Sequence, residues 1–170
     1  MIEETMKAYI AGIFDGEGSI YIAKNFKPKV TAKVIYSCIV NITNTNEKVM
    51  RMIASFYGNT SIECRKRLGE NFTIYTWRLQ GARLLPFLYD IKPYSIIKKH
   101  EVDLGIRYLE HVWPLRYKFN TMKYGLDEKE FKWREEIRQE MKRLKSLRTI
   151  KGINLYKEQT VQSVRSDLSK

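Results

Sequence analysis

The chain has 170 residues, with 31 lysines and arginines against 19 aspartates and glutamates, a formal net charge of +12 and a pI of about 9.7. A hydrophobic share of 44% suits one globular domain, expected over 1–170, that buries roughly two-thirds of its unfolded surface. The charge favours a polyanion, either nucleic acid or an anionic membrane surface. No apolar run of about 18 residues offers a membrane span, and Met1-Ile2-Glu3-Glu4 lacks the basic and apolar regions of a secretory signal. Nucleic acid leads. Cys38 and Cys64 fall in strand-like segments without a CxxC or Cys/His grouping, so they read as packing residues rather than zinc ligands. An intracellular location, in cytoplasm, nucleoid or organelle, is expected.

The first element is the compact apolar stretch Met6 to Phe14, running into Asp15-Gly16-Glu17-Gly18. Ala8, Gly12 and Gly16 recur every four residues and share one helical face. A face this small allows another helix to approach closely, either within the chain or across a dimer seam. Ile20 to Ile22 and Val30 to Thr43 are rich in β-branched and aromatic residues and read as strands, joined by a basic turn containing Lys24, Lys27 and Lys29. Asn46 to Tyr57 reads as an amphipathic helix stopped by Gly58. A second ribbon follows, with strands at 60–68 and 72–79. Helices are expected at about 82–90, 95–112 and 127–147, with a shorter one near 157–168. The order gives an α+β fold with an antiparallel sheet.

The ribbons interleave cationic, amide and aromatic side chains. Tyr21, Asn25, Lys27, Lys29, Lys33, Ser37, Asn41, Arg65, Arg67, Tyr75 and Trp77 are expected to meet DNA, because an antiparallel ribbon fits the major groove. A solvated sheet face is the plainer alternative. His100 and His111 have no metal-ligand partner at helical spacing and read as structural or surface residues.

The segment Ile10-Ala11-Gly12-Ile13-Phe14-Asp15-Gly16-Glu17-Gly18, followed by Ser19-Ile20, closely resembles the signature of the LAGLIDADG homing endonucleases. The resemblance implies the αββαββα fold of that family, with its antiparallel sheet on DNA and extra C-terminal helices. It also implies that two signature helices pack side by side through Ala8, Gly12 and Gly16, each delivering one carboxylate to the scissile phosphates. Here that carboxylate is Glu17, a hard oxygen ligand suited to Mg²⁺ or a similar divalent cation such as Mn²⁺, with the Gly16 carbonyl as a secondary ligand. Asp15 is expected to support the helix end instead. Asn44 matches a position that orients the attacking water, Lys98 a lysine near that water, and Lys48 a phosphate contact. The run Lys142, Arg143, Lys145, Arg148 and Lys151 reads as a solvated helix face or, following the resemblance, as contacts to the DNA backbone.

One signature per chain implies a homodimer, and hence a long, nearly palindromic duplex target cut to 3′ overhangs in intron homing. An intron-encoded, RNA-binding splicing maturase on the same scaffold is the alternative. It would not need the intact carboxylate.

Overall fold

The computed structural model describes residues 2–27, 33–58, 61–66, 72–118 and 126–151. Helix α1 covers Glu4–Glu17 and leads without a loop into strand β1, Gly18–Lys27. Strand β2 is Lys33–Asn44 and helix α2 is Glu47–Phe56. Strands β3, Ile62–Lys66, and β4, Thr73–Gln80, form the second ribbon. A 3₁₀ turn, Gly81–Arg83, opens into helix α3, Leu84–Ile91. Two long helices follow, α4 at Lys99–Lys118 and α5 at Glu128–Lys151. The helix expected near 157–168 lies outside the described residues. Among the described residues no helix is long and apolar enough to cross a membrane.

The four strands form one antiparallel sheet in the order β1-β2-β4-β3. Both hairpins are as expected, and α2 carries the chain from the centre of the sheet to its far edge. Asn46 caps α2 by accepting from the Val49 N–H at 3.3 Å, satisfying an otherwise orphaned amide. Gly58, at φ +66, ends that helix in the left-handed conformation open to glycine.

Register sorts the sheet into two rows. Ile20, Ile22, Tyr36, Cys38, Val40, Ile42, Trp77 and Leu79 are buried and lie side by side across the ladder. Helices α1, α3 and α4 bring Ile10, Phe14, Phe87, Leu88 and Val102 to the same core. At its centre Phe87 meets three rings edge-on, with centroids 5.9 Å from Phe14, 5.0 Å from Tyr57 and 5.4 Å from Trp77, a geometry favoured by ring quadrupoles. The alternate row, including Ser19, Tyr21, Asn25, Ser37, Asn41, Thr43, Thr76 and Arg78, keeps solvent exposure. Ile39, between Tyr21 and Gln80 in that row, is buried.

Helix α5 is docked at both ends. Near its start, Glu135 accepts from the Tyr36 hydroxyl at 2.6 Å and from the Lys24 ammonium at 2.9 Å. The Tyr36 bond first, and Lys24 second, hold this carboxyl down at about 2. Near its other end, Arg148 approaches Glu101 of α4, with Nε 3.2 Å from Oε1.

Candidate active site

The site grows from the end of α1. Gly12 and Gly16 sit inside this helix, where each disfavours it by about 1 kcal/mol relative to alanine. Burial of Ile10, Ala11 and Phe14 offsets that cost. Gly18 has an ordinary extended backbone, φ −84 and ψ 161, so conformational freedom does not explain it. A Cβ there would come within 2.4 Å of the Phe14 ring and 2.6 Å of the Phe14 carbonyl oxygen. Glycine lets the chain turn directly from helix to strand against Phe14, which leaves Glu17 exposed at the corner.

Two buried groups fix this corner. The Asp15 carboxylate, 8% exposed, accepts four hydrogen bonds from the segment ahead of α4. The Ser95 hydroxyl donates at 2.6 Å and the Lys98 amide at 3.1 Å to one oxygen; the Ile96 and Ile97 amides donate at 2.6 and 2.9 Å to the other. Lys98, 2% exposed, extends its ammonium to the Phe14 carbonyl at 2.9 Å and also to the Asp15 carbonyl. These are terminal carbonyls of α1, where a cation complements the helix dipole. Burial, and then the nearby Arg148 guanidinium, push this ammonium down to about 8.

The other expected site residues fall at the same end of the sheet. Gly18 pairs with Ile42, which places Asn44, the last residue of β2, beside the helix-to-strand corner. The Asn44 side-chain oxygen accepts from the Asn46 amide at 2.8 Å, so an interaction with water would draw on its NH₂ group. Lys48 is exposed in the first turn of α2. Among the described residues no three His, Cys, Asp or Glu side chains gather around one point. At this corner the described residues offer one exposed carboxylate, Glu17, with the Gly16 carbonyl adjoining it. Both are hard oxygen donors appropriate to a divalent cation.

Among the described residues, nothing packs closely on Gly12 and Gly16, while Ala8 on the same face of α1 is half-buried. A Cβ placed on Gly12 or Gly16 meets nothing within 4 Å, and Tyr9 beside them is 51% exposed. Among the described residues, then, no intramolecular contact accounts for the two glycines.

On the sheet, Tyr21, Asn25, Ser37 and Asn41 occupy the exposed row, and Asn41 donates to the Tyr21 hydroxyl at 3.3 Å. Arg65 is exposed on β3 in the same row. Lys27 and Lys33 pair across the ladder, but their side chains, like all of Lys29 and Arg67, lie outside the described residues. Tyr75 and Trp77 require correction as DNA contacts. Trp77 is 0% exposed and wedged against Phe87, and Tyr75 packs on the same core with its hydroxyl hydrogen-bonded to Glu47 of α2. Register puts both on the helix-covered side, because side chains alternate strictly along a strand. Arg78, Thr76 and Thr43 occupy the exposed row instead, with the two threonine hydroxyls 3.1 Å apart. The alternation of Tyr75, Trp77 and Leu79 with Thr76, Arg78 and Gln80 is the sequence signal that would have singled out Thr76 and Arg78.

This helix, corner and sheet are found in known proteins. The LAGLIDADG endonuclease family model matches residues 10–104. The homing endonuclease I-CvuI, solved with a DNA target in the presence of 2 mM Mg, is 16% identical; the match covers 83% of this chain and 82% of that one, with a TM-score of 0.62. The archaeal intron-encoded homing endonuclease I-Vdi141I, solved with DNA, is 18% identical over 84% of this chain and 86% of that one, with a TM-score of 0.60. The homing endonuclease I-TnaI is 14% identical over 82% and 98%, at 0.51. No curated protein sequence matches. The family model spans more than half of the chain and the solved structures share its overall fold: the chain belongs to the LAGLIDADG endonucleases, a family of nucleases acting on DNA.

Proposed function

We propose that the chain works as a homodimer that cuts both strands of a long, nearly palindromic DNA site by divalent-metal-dependent hydrolysis, leaving 3′ overhangs, in the homing of an intron. The observation that carries this reading is the pairing of an exposed Glu17 with two glycines on the same helix, Gly12 and Gly16, that the described residues leave open. One chain has one such carboxylate, and cutting two strands takes two. A second copy packed through Ala8, Gly12 and Gly16 brings its own Glu17 alongside the first.

In the dimer, Glu17 and the Gly16 carbonyl would hold a divalent cation, Mg²⁺ or a relative, beside the scissile phosphates. A bound divalent cation supplies an acidified water and offsets charge on the phosphate. Asn44 orients water through its NH₂ group. Lys98 acts through the helix, holding the Phe14 and Asp15 carbonyls so that Glu17 stays at the corner. Tyr21, Asn25, Ser37, Asn41, Arg65 and Arg78 face the major groove, while Lys27, Lys29, Lys33, Lys48 and Arg67 add positive charge for the backbone. Those charges make affinity fall steeply with salt.

The decisive experiment incubates the protein and Glu17→Gln with a randomised duplex library and Mg²⁺, then sequences the cut ends. The wild type should give a single consensus with two-fold symmetry and 3′ overhangs, and Glu17→Gln should give none while still binding the recovered duplex in Ca²⁺. Cleavage by Glu17→Gln at the wild-type rate would falsify the assignment of the carboxylate.

A further inference from the structure

Among the described residues, the exposed row of the sheet carries one acid. Glu63 of β3 lies opposite Thr76, and Thr76 opposite Thr43, so its side chain leaves the sheet on the same side as Asn41 and Arg78. A carboxylate on this face repels the phosphates of DNA, against the sense of a chain whose net charge is +12. Two structural explanations for it fall short. Its contact is with Arg65, two residues on in the same row, whose Nη2 donates to Glu63 Oε1 at 2.9 Å. Both side chains are largely exposed, 70% for Arg65 and 65% for Glu63, and ion pairs so open to solvent contribute little to stability. Charge on an edge strand such as β3 also discourages pairing with another sheet, but Arg65 and Lys66 supply that without an acid.

What the pair does offer is an acceptor and a donor side by side, one hydrogen bond apart, on the face turned to the major groove. A C·G base pair displays the complementary couple there. The cytosine N4 amino group donates, guanine O6 accepts, and guanine N7 accepts beside it. N4 and O6 are joined by a Watson–Crick hydrogen bond, so their separation matches that of the two side-chain atoms. The carboxylate then lies over N4 and the guanidinium fork over O6 and N7. An A·T pair suits the couple less well, because adenine N7 sets an acceptor next to the carboxylate and thymine gives the guanidinium one acceptor in place of two. The reversed G·C pair puts the carboxylate over O6, acceptor against acceptor.

The row also fixes where this base pair falls. Thr43 immediately precedes Asn44, which stands beside the helix-to-strand corner, so Glu63 lies at the end of the sheet nearest Glu17. We propose that Glu63 is a specificity-determining residue which, together with Arg65, reads one C·G pair in a single orientation in the inner part of each half of the DNA target. This rests on the reading above that the exposed row faces the major groove of a nearly palindromic site. It gives the acid a use that general affinity does not: it weakens attraction to any duplex and discriminates between duplexes.

Selection of a randomised duplex library by binding in Ca²⁺, with sequencing of the retained pool, reads base preference without requiring cleavage. The wild type should retain a two-fold-symmetric consensus with a C·G pair in the inner part of each half. Glu63→Gln should keep the rest of the consensus and shift that position toward A·T, since a glutamine amide pairs with adenine N6 and N7. Its preference for C·G over A·T should fall by about 5- to 150-fold, the worth of one good base contact. Glu63→Ala should lose the preference and bind a 30-base-pair duplex of arbitrary sequence more tightly than the wild type. Glu136→Gln, at an exposed acid of α5, makes the same charge change away from the sheet and should leave every preference as it is. If Glu63 only steadied Arg65, Glu63→Gln would keep the C·G preference, because its amide oxygen still accepts from the guanidinium; that result overturns the proposal. A wild-type consensus with no C·G pair in its inner half also overturns it. A retained pool without any consensus refutes the site-specific function and this proposal together, whereas a Glu63-dependent C·G preference without cleavage in Mg²⁺ refutes the proposed cleavage alone.

Discussion

Replacing Asp15 with asparagine changes one atom and should unsettle both the start of α4 and the end of α1. The wild-type carboxylate takes two donors on each oxygen, three of them backbone amides. The asparagine NH₂ must face one of those pairs. Facing the Ile96 and Ile97 amides, it leaves two N–H groups unpaired; turned the other way, it opposes the Lys98 amide and a Ser95 hydroxyl that can rotate. An unsatisfied buried donor costs about 1–3 kcal/mol, so the smaller loss, one amide together with the charge assistance of the remaining bonds, comes to about 3 kcal/mol. For a chain of this size 1 kcal/mol moves the unfolding midpoint by about 2–4 °C, which predicts a fall of about 6–12 °C. Circular dichroism melts and guanidinium titrations of wild type and Asp15→Asn give the difference directly. A variant within about 0.5 kcal/mol of wild type would refute the buried-anchor account of Asp15.

Three further outcomes follow from other parts of the molecule. Gly12→Leu adds a side chain where a single chain has open space, so the fold should persist while sedimentation at micromolar concentration shifts from dimer to monomer; a variant that still sediments as a dimer refutes the helix seam. Glu135 is held at about 2 by Tyr36 and Lys24, below the roughly 4.3 of an unfolded glutamate. Its contribution is therefore complete above that value and is lost as pH falls toward 2, so the stability gap between wild type and Glu135→Gln should narrow between pH 5 and 2; a gap independent of pH in this window contradicts the assignment. Burial pushes the Cys38 thiol up to about 12, whereas Cys64 is exposed. A thiol reagent at pH 8 should label one cysteine in the native protein and both in guanidinium; rapid native labelling of Cys38 would mean that the sheet core opens.

Local pattern and long-range contact divide what could be read in advance. The strands, the α1 signature and the Gly58 stop carry periods or turn chemistry within a few residues, and the structure follows them. Aromatic residue type points Tyr75 and Trp77 to DNA, against the two-residue alternation of their own strand. The burial of Trp77 follows from that alternation. The role of Asp15 was partly legible, since support of a helix end was expected. Its partners, however, lie 80 to 83 residues away, and no local rule names them. The same holds for Glu135 with Tyr36 and for Arg148 with Glu101, contacts that turn a basic helix from a charge pattern into a docked element. Helix α4 begins at Lys99 rather than 95, and the Ile96, Ile97 and Lys98 amides just ahead of it bond to Asp15.

The two rows of the sheet have a consequence for how such an enzyme changes its target. Tyr21, Ser37, Asn41, Thr43, Thr76 and Arg78 can be exchanged without altering a residue of the buried row, whose side chains leave the opposite face. The corner proposed to be catalytic is fastened separately, by Asp15 and Lys98 to the segment ahead of α4. Retargeting and loss of cleavage are therefore separable by mutation over most of the surface. Tyr21 is the exception: Lys145 lies over its ring, so a substitution there would also disturb the packing of α5 on the sheet. A lineage drifting toward new sites should retain an aromatic ring at that position while its neighbours vary.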